Sequence, residues 1–156
     1  MEPTGYTIFC DDIRSEVGGK ISLIGCYSGV MLVSGHFPII IPKFGLSITC
    51  ISAMEKLRQF EIKVFLPLDP DDKPSIAENI ALPPDGVDAF EPFVPDSDPD
   101  VLRLAFVTRN FILSPLEIRA EGNIKVRIVH NERLVKAGAL RVLLAPSAEQ
   151  LNPTKM

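Results

Sequence analysis

Tryptophan is absent from this sequence, histidine occurs only at positions 36 and 130, and cysteine only at 10, 26 and 50. Two imidazoles, both beside segments that read as surface turns, give little material for nucleophilic or general-base catalysis. There is no G-x-S-x-G, no H-E-x-x-H and no catalytic signature around a cysteine. A glycine-rich phosphate loop is also missing, because Gly18 and Gly19 lead into a strand-like run rather than a helix. These absences exclude the common catalytic constellations, and the chain reads as a non-enzyme that needs no cofactor.

The three cysteines lie in apolar runs, with no C-x-x-C and no histidine at zinc-ligand spacing. They read as reduced core residues of a cytoplasmic protein. If a hairpin turns near Gly18 and Gly19, however, Cys10 falls opposite Cys26, and a cross-strand disulfide becomes geometrically open. Long apolar runs are missing too: nothing approaches the roughly 18 residues that a membrane-crossing helix needs. Met1 is followed by Glu2, Pro3, Thr4 and Gly5 rather than by a basic and then apolar leader. A soluble protein without a membrane span is expected.

What is present is alternation. YTIFCDDIR and KISLIGCYSGVMLV are β-branched and aromatic runs joined by a glycine turn, which predicts a hairpin. FGLSITCISA and QFEIKVFLP predict two further strands, separated by a charged bend at residues 54–58. VLRLAFVTRNFIL reads as a strand central in a sheet, with Phe106 and Phe111 in the core. Ile118, Ala120, Gly122, Ile124, Val126 and Ile128 alternate with polar residues, the period of a half-buried strand. LVKAGALRVLLA points Leu140, Val142 and Leu144 inward; Lys136 and Gly138 share that parity, which predicts either a bulge or the open end of the hairpin near them. No stretch of twelve residues favours a helix. The expected fold is all-β, an antiparallel sandwich of seven to eight strands, immunoglobulin-like or C2-like. It occupies residues 1–145 as one domain, with a polar tail at 146–156.

Charge is unevenly spread. Residues 67–100 hold eight Asp and two Glu against one Lys, together with eight of the fourteen prolines, whereas the remainder sums to +5. An acidic, proline-rich insertion is expected there, with residues 74–82 able to form either a short strand or a helical turn. The cations between Arg103 and Arg141 read as a solvated outer face, and a nucleic-acid partner is disfavoured because aromatic interleaving is poor.

One segment carries a motif. Phe9, Cys10, Asp11, Asp12, Ile13 and Arg14 are followed by Lys20, Ser22, Leu23, Ile24, Gly25 and Tyr27. This resembles the opening of a bacterial protein family of unknown function, F-C-D-D-I-R followed by K-x-S-L-I-G-x-Y. The resemblance implies a bacterial or phage-related β-sandwich and supplies no activity. From the residues alone, Asp11, Asp12, Arg14 and Glu16 are strand-end groups that accept turn amides or pair locally, or else a ligand or partner site.

Two further sets are candidates. Phe37, Ile39, Ile40 and Ile41, bracketed by Pro38 and Pro42, and Phe90 with Phe93 are apolar residues in loop-like segments. Such patches mark protein contacts or self-association unless they fold down as an edge strand. Asp96, Asp98 and Asp100, with Asp69, Asp71 and Asp72, are hard oxygen ligands, as on the calcium loops of C2 domains. They do not fit an EF-hand, since Val101 stands where the turn wants Gly. The reading that follows is a non-enzymatic binding or assembly module. The alternatives are a calcium- or ligand-dependent C2-like module and, third, an enzyme with an unrecognised site.

Overall fold

A computed structural model describes residues 2–53, 59–82 and 104–146. The first apolar run forms β1 (Thr4–Cys10) and β2 (Asp12–Ser15), and the second forms β3 (Ile21–Ile24) and β4 (Val30–Val33). Then come β5 (Ile39–Ile41), β6 (Phe44–Ala53), β7 (Gln59–Phe65), β8 (Ile76–Ala81), β9 (Leu104–Leu113), β10 (Leu116–Ile118), β11 (Gly122–His130) and β12 (Arg133–Leu144). No helix occurs among the described residues, so none is long and apolar enough to cross a membrane.

The main sheets are three-stranded, β1-β6-β9, and five-stranded, β4-β12-β11-β7-β8; β2-β3 and β10-β5 are small ladders beside them. All pairings are antiparallel except β4 with β12. Alternation decides the inside. Leu46, Ile48 and Cys50 of β6 meet Phe60, Ile62 and Val64 of β7, Ile124, Val126 and Ile128 of β11, and Leu140 and Val142 of β12 in one buried cluster. Each such aliphatic or aromatic side chain contributes about 1.5–3 kcal/mol on full burial. Gly5 lets β1 lie close over the other sheet: a Cβ there would sit 2.7 Å from the Thr49 carbonyl oxygen and 2.8 Å from Ile128 Cδ1.

Several expectations hold. Segment 74–82 supplies a strand, β8. The bulge falls at Ala137, because Val126 pairs with Gly138 and Arg127 with Lys136, leaving one residue over. Asn131 and Glu132, both with positive φ, form the two-residue turn into β12.

Others need correction. The expected N-terminal hairpin exists only as β2-β3. β1 pairs with β6 and β4 with β12, since the first run bends at Asp11 and the second breaks at Gly25 and Gly29, whose φ values are +67 and +92. The long period from Ile118 to Ile128 is cut into β10 and β11, which join different ladders. β9 is an edge strand of its sheet among the described residues rather than a central one. Phe106 is accordingly 63% exposed on its outward face, while Phe111 packs on the core. Leu144 is exposed, near the end of a strand. His130 is not a surface turn residue: it shares the inward parity of Ile128 and is 1% exposed, whereas His36 is exposed as expected. Cys10 and Cys50 are core residues, but Cys26 is exposed, because β3 has already ended at Ile24. The charged bend at 54–58 lies outside the described residues.

Candidate functional site

The motif at the start of the chain folds into a clasp. Asp11 turns the chain between β1 and β2, its N–H donating to the carbonyls of Ile24 and Gly25 at 2.9 and 3.2 Å, and its carboxylate accepts the Tyr27 hydroxyl at 2.5 Å. Gly25 is required beside it, since any Cβ there would collide with that carboxylate. The Tyr27 ring rests on Phe44, with centroids 6.0 Å apart, and burial followed by the Asp11 hydrogen bond pushes its phenol pKa up. Asp12 is held between Lys43 at 2.5 Å and Arg14 at 3.0 Å, and Lys43 and then Arg14 pull its pKa below the usual carboxylate value. Glu16 accepts the Ser22 hydroxyl at 2.8 Å. Asp11 and Asp12 therefore tie β2 and β3 to Tyr27 and Lys43, while Arg14 pairs within β2 and Glu16 pairs with Ser22 of β3. Every one of these groups is already engaged.

The Phe37–Ile41 segment is not a contiguous exposed patch. Ile39–Ile41 is the short strand β5 on β10, and Phe37, Ile39 and Ile41 pack against the core. Ile40 alone points outward, 54% exposed and paired in register with Glu117. Phe90, Phe93, Asp96, Asp98 and Asp100 lie outside the described residues. Asp69 accepts the N–H groups of Leu66 and Ser75 at 2.8 and 2.9 Å and so closes its own loop, while Asp71 pairs with Lys125 at 3.3 Å. No group of three or more potential metal ligands comes together among the described residues. A concavity of ≈ 630 Å³ lies between the 66–76 loop and the β9–β10 corner. Of the polar groups lining it, Arg119 pairs with Glu117 at 2.6 Å and Asp69 holds its own loop.

The feature that strand-by-strand reading missed is the outward face of β1-β6-β9. Register sets Thr4, Ile51 and Phe106 in one row; Tyr6, Thr49 and Thr108 in the next; then Ile8, Ser47 and Asn110; then Cys10, Gly45 and Ile112. None of these residues is charged. The central strand carries small side chains, and Ser47 and Thr49 are buried between larger neighbours, with Thr49 bonded to Thr108 at 2.8 Å. Tyr6 on one flank and Phe106 and Ile112 on the other stand exposed, which makes a shallow uncharged trough along β6. Ile13 of β2 packs on Gly45 and closes one end. A partial signal is present in the sequence, the G-S-T-I series at alternate positions of β6. Its significance depends on knowing which strands flank it.

The outward face of the five-stranded sheet is the opposite in charge. Arg127 lies in register between Lys63 and Lys136, and Lys125, Arg141 and Glu61 share the face. Lys125 lies over the Phe65 ring at 5.4 Å. At the open edge between the two sheets, Arg109 of β9 bridges to Glu78 of β8 at 2.9 Å.

Compared with known proteins, residues 5–143 match a family model described as a family of unknown function (DUF6941), a span running from β1 into β12. No curated protein and no solved structure matches the chain.

Proposed function

Because the chain belongs to this family of unknown function, we propose a function from the molecule's own surfaces: a non-enzymatic binding or assembly module whose contact surface is the outward face of β1-β6-β9. One observation carries the reading. A three-strand-wide face with no charged residue exposes Tyr6, Phe106 and Ile112 among the uncharged Thr4, Thr108 and Asn110, and exposed aromatic and aliphatic side chains on a surface depleted of charge are the composition of a protein contact. The occupant is a protein surface of matching apolar, uncharged character, a second copy of this chain included. The sheet orders support an immunoglobulin-like rather than a C2-like sandwich. A three-stranded sheet opposes one in which the last two strands of the chain are neighbours, and the edge strand β4 runs parallel to the final strand. A bacterial, cytoplasmic setting belongs to the same reading, supported by the motif and by the odd number of cysteines. Nothing in the described residues favours the calcium-dependent or the enzymatic alternative.

The test is a photo-cross-linking side chain at position 106, compared with one at position 127, together with sedimentation of the purified protein. Adducts or self-association that depend on position 106 and vanish with Tyr6→Glu are expected. Equal adducts from both positions, with a monomer throughout, would retire the proposal.

A further inference from the structure

Two backbone hydrogen bonds define a pair of cysteines that no ladder includes. The Tyr27 N–H donates to the Phe9 carbonyl at 2.8 Å, and the Asp11 N–H donates to the Gly25 carbonyl at 3.2 Å. In an antiparallel pairing, bonds 9–27 and 11–25 enclose Cys10 and Cys26 as directly opposed residues in a non-hydrogen-bonded site, the same register that pairs Asp12 with Ile24. Cα atoms at such a site are about 4.5 Å apart and the side chains converge. That separation lies within the range, about 4.4–6.8 Å, that a disulfide can span. The two thiols differ in access. Cys10 is buried, its Sγ 3.7 Å from the Gly45 carbonyl, whereas Cys26 is exposed. Burial and then the neighbouring Cys26 hold the Cys10 thiol above its usual pKa. Cys50 is buried in the core, and burial alone pushes its thiol up to about 11, so it is the unreactive one of the three.

We propose that Cys10 and Cys26 form a peroxide-responsive pair in which the exposed Cys26 is oxidised first and the buried Cys10 resolves it into a cross-strand disulfide. The Cys26 thiolate attacks one peroxide oxygen, the O–O bond breaks, hydroxide leaves and a sulfenic acid forms. The Cys10 sulfur then attacks the Cys26 sulfur, the S–O bond breaks and water departs. Two thiols and one hydrogen peroxide give one disulfide and two waters, with two electrons passing from sulfur to oxygen. In a reducing compartment the bond is transient and is reversed by a dithiol. Closing it ties the end of β1 to the segment entering β4, across the Asp11–Tyr27 clasp.

The test uses the full chain with stoichiometric hydrogen peroxide, a sulfenic-acid trap and non-reducing peptide mapping. Expected are a single intramolecular Cys10–Cys26 linkage, two hydrogens lighter than the untreated protein and reversed by dithiothreitol, and little trapped sulfenic acid. The same linkage should form in Cys50→Ser. Cys10→Ala should instead leave Cys26 as a trapped sulfenic acid or an intermolecular dimer. A lasting sulfenic acid or dimer at Cys26 in the unsubstituted chain, or no reaction there, overturns the proposal. Because that outcome is read on the unsubstituted protein, it holds even if Cys10→Ala fails to fold.

Discussion

The outward faces of the two main sheets obey the same period-two rule and arrive at opposite surfaces. On the five-stranded sheet, long cationic side chains stand over apolar floor: Lys125 covers Phe65, and Lys63, Arg127 and Lys136 line up across three strands. Their stems shield carbon while their heads stay in water. On the three-stranded sheet, the central strand presents Gly45, Ser47 and Thr49 between Tyr6, Phe106 and Ile112, and no charge appears in any row. The difference teaches that an outer face can be covered by long charged side chains or left low and uncharged by short ones. The uncharged version leaves a shallow trough above its central strand.

The largest effect comes from placing the same charge on both faces. Thr49 is 3% exposed and bonded to Thr108, so Thr49→Lys breaks that buried hydrogen bond and forces a long side chain out between Tyr6 and Thr108, and should cost about 1–3 kcal/mol. Ala139→Lys, on an exposed site of the cationic face, should change stability by no more than about 0.5–1 kcal/mol. Urea melts of the two variants measure the gap; equal losses would mean that the faces do not differ in burial as described.

Next is the cationic row. Like charges set opposite one another across strands oppose pairing, so Lys136→Glu beside Arg127 should stabilise by about 0.5 kcal/mol, with the gain shrinking as salt is raised. Thr108→Glu on the neutral face should show no such gain in the same melts.

Ile40 checks whether exposure alone makes a contact. It is exposed but isolated, so Ile40→Asp should leave the melting temperature within a degree or two and leave association through position 106 untouched. Loss of association in that variant would move the contact to β5.

The smallest effect is electrostatic, at the end of the neutral trough. Asp12 has a depressed pKa, so its pairing with Lys43 and Arg14 stabilises the fold above its unfolded pKa, about 3.9, and is lost as pH falls through the lower folded value. Asp12→Asn should therefore flatten the acid limb of the stability curve below about pH 4. An unchanged acid limb would show that the clasp does not rely on this pair.

Much of the fold was legible because burial on one side of a strand leaves a period-two trace. β6, β7, β11 and the bulge in β12 follow from residue order alone. β9 misled, because the outward Leu104, Phe106 and Ile112 interleave with the inward Ala105, Val107, Phe111 and Leu113 and so resemble a strand buried on both sides, although the first three face outward from an edge. His130 misled for a related reason: proximity to a turn suggested exposure, but parity with Ile128 turned it inward. The apolar loop at Phe37–Ile41 was visible in the sequence, but which of its side chains face inward is settled by β10, far downstream in the chain.

Composition and alternation by themselves determined that this chain builds strands, which strand faces are apolar and where the turns fall, because those are local consequences of side-chain size and backbone freedom. Only the tertiary structure decided which faces lie side by side. Gathering β1, β6 and β9 into one sheet turned scattered threonines, serines and aromatics into an uncharged trough, whereas the opposition of Cys10 and Cys26 follows from the register of a local hairpin that the sequence already shows. Strand order and the register between distant strands are set by contacts between residues far apart in the chain, and no local pattern encodes them.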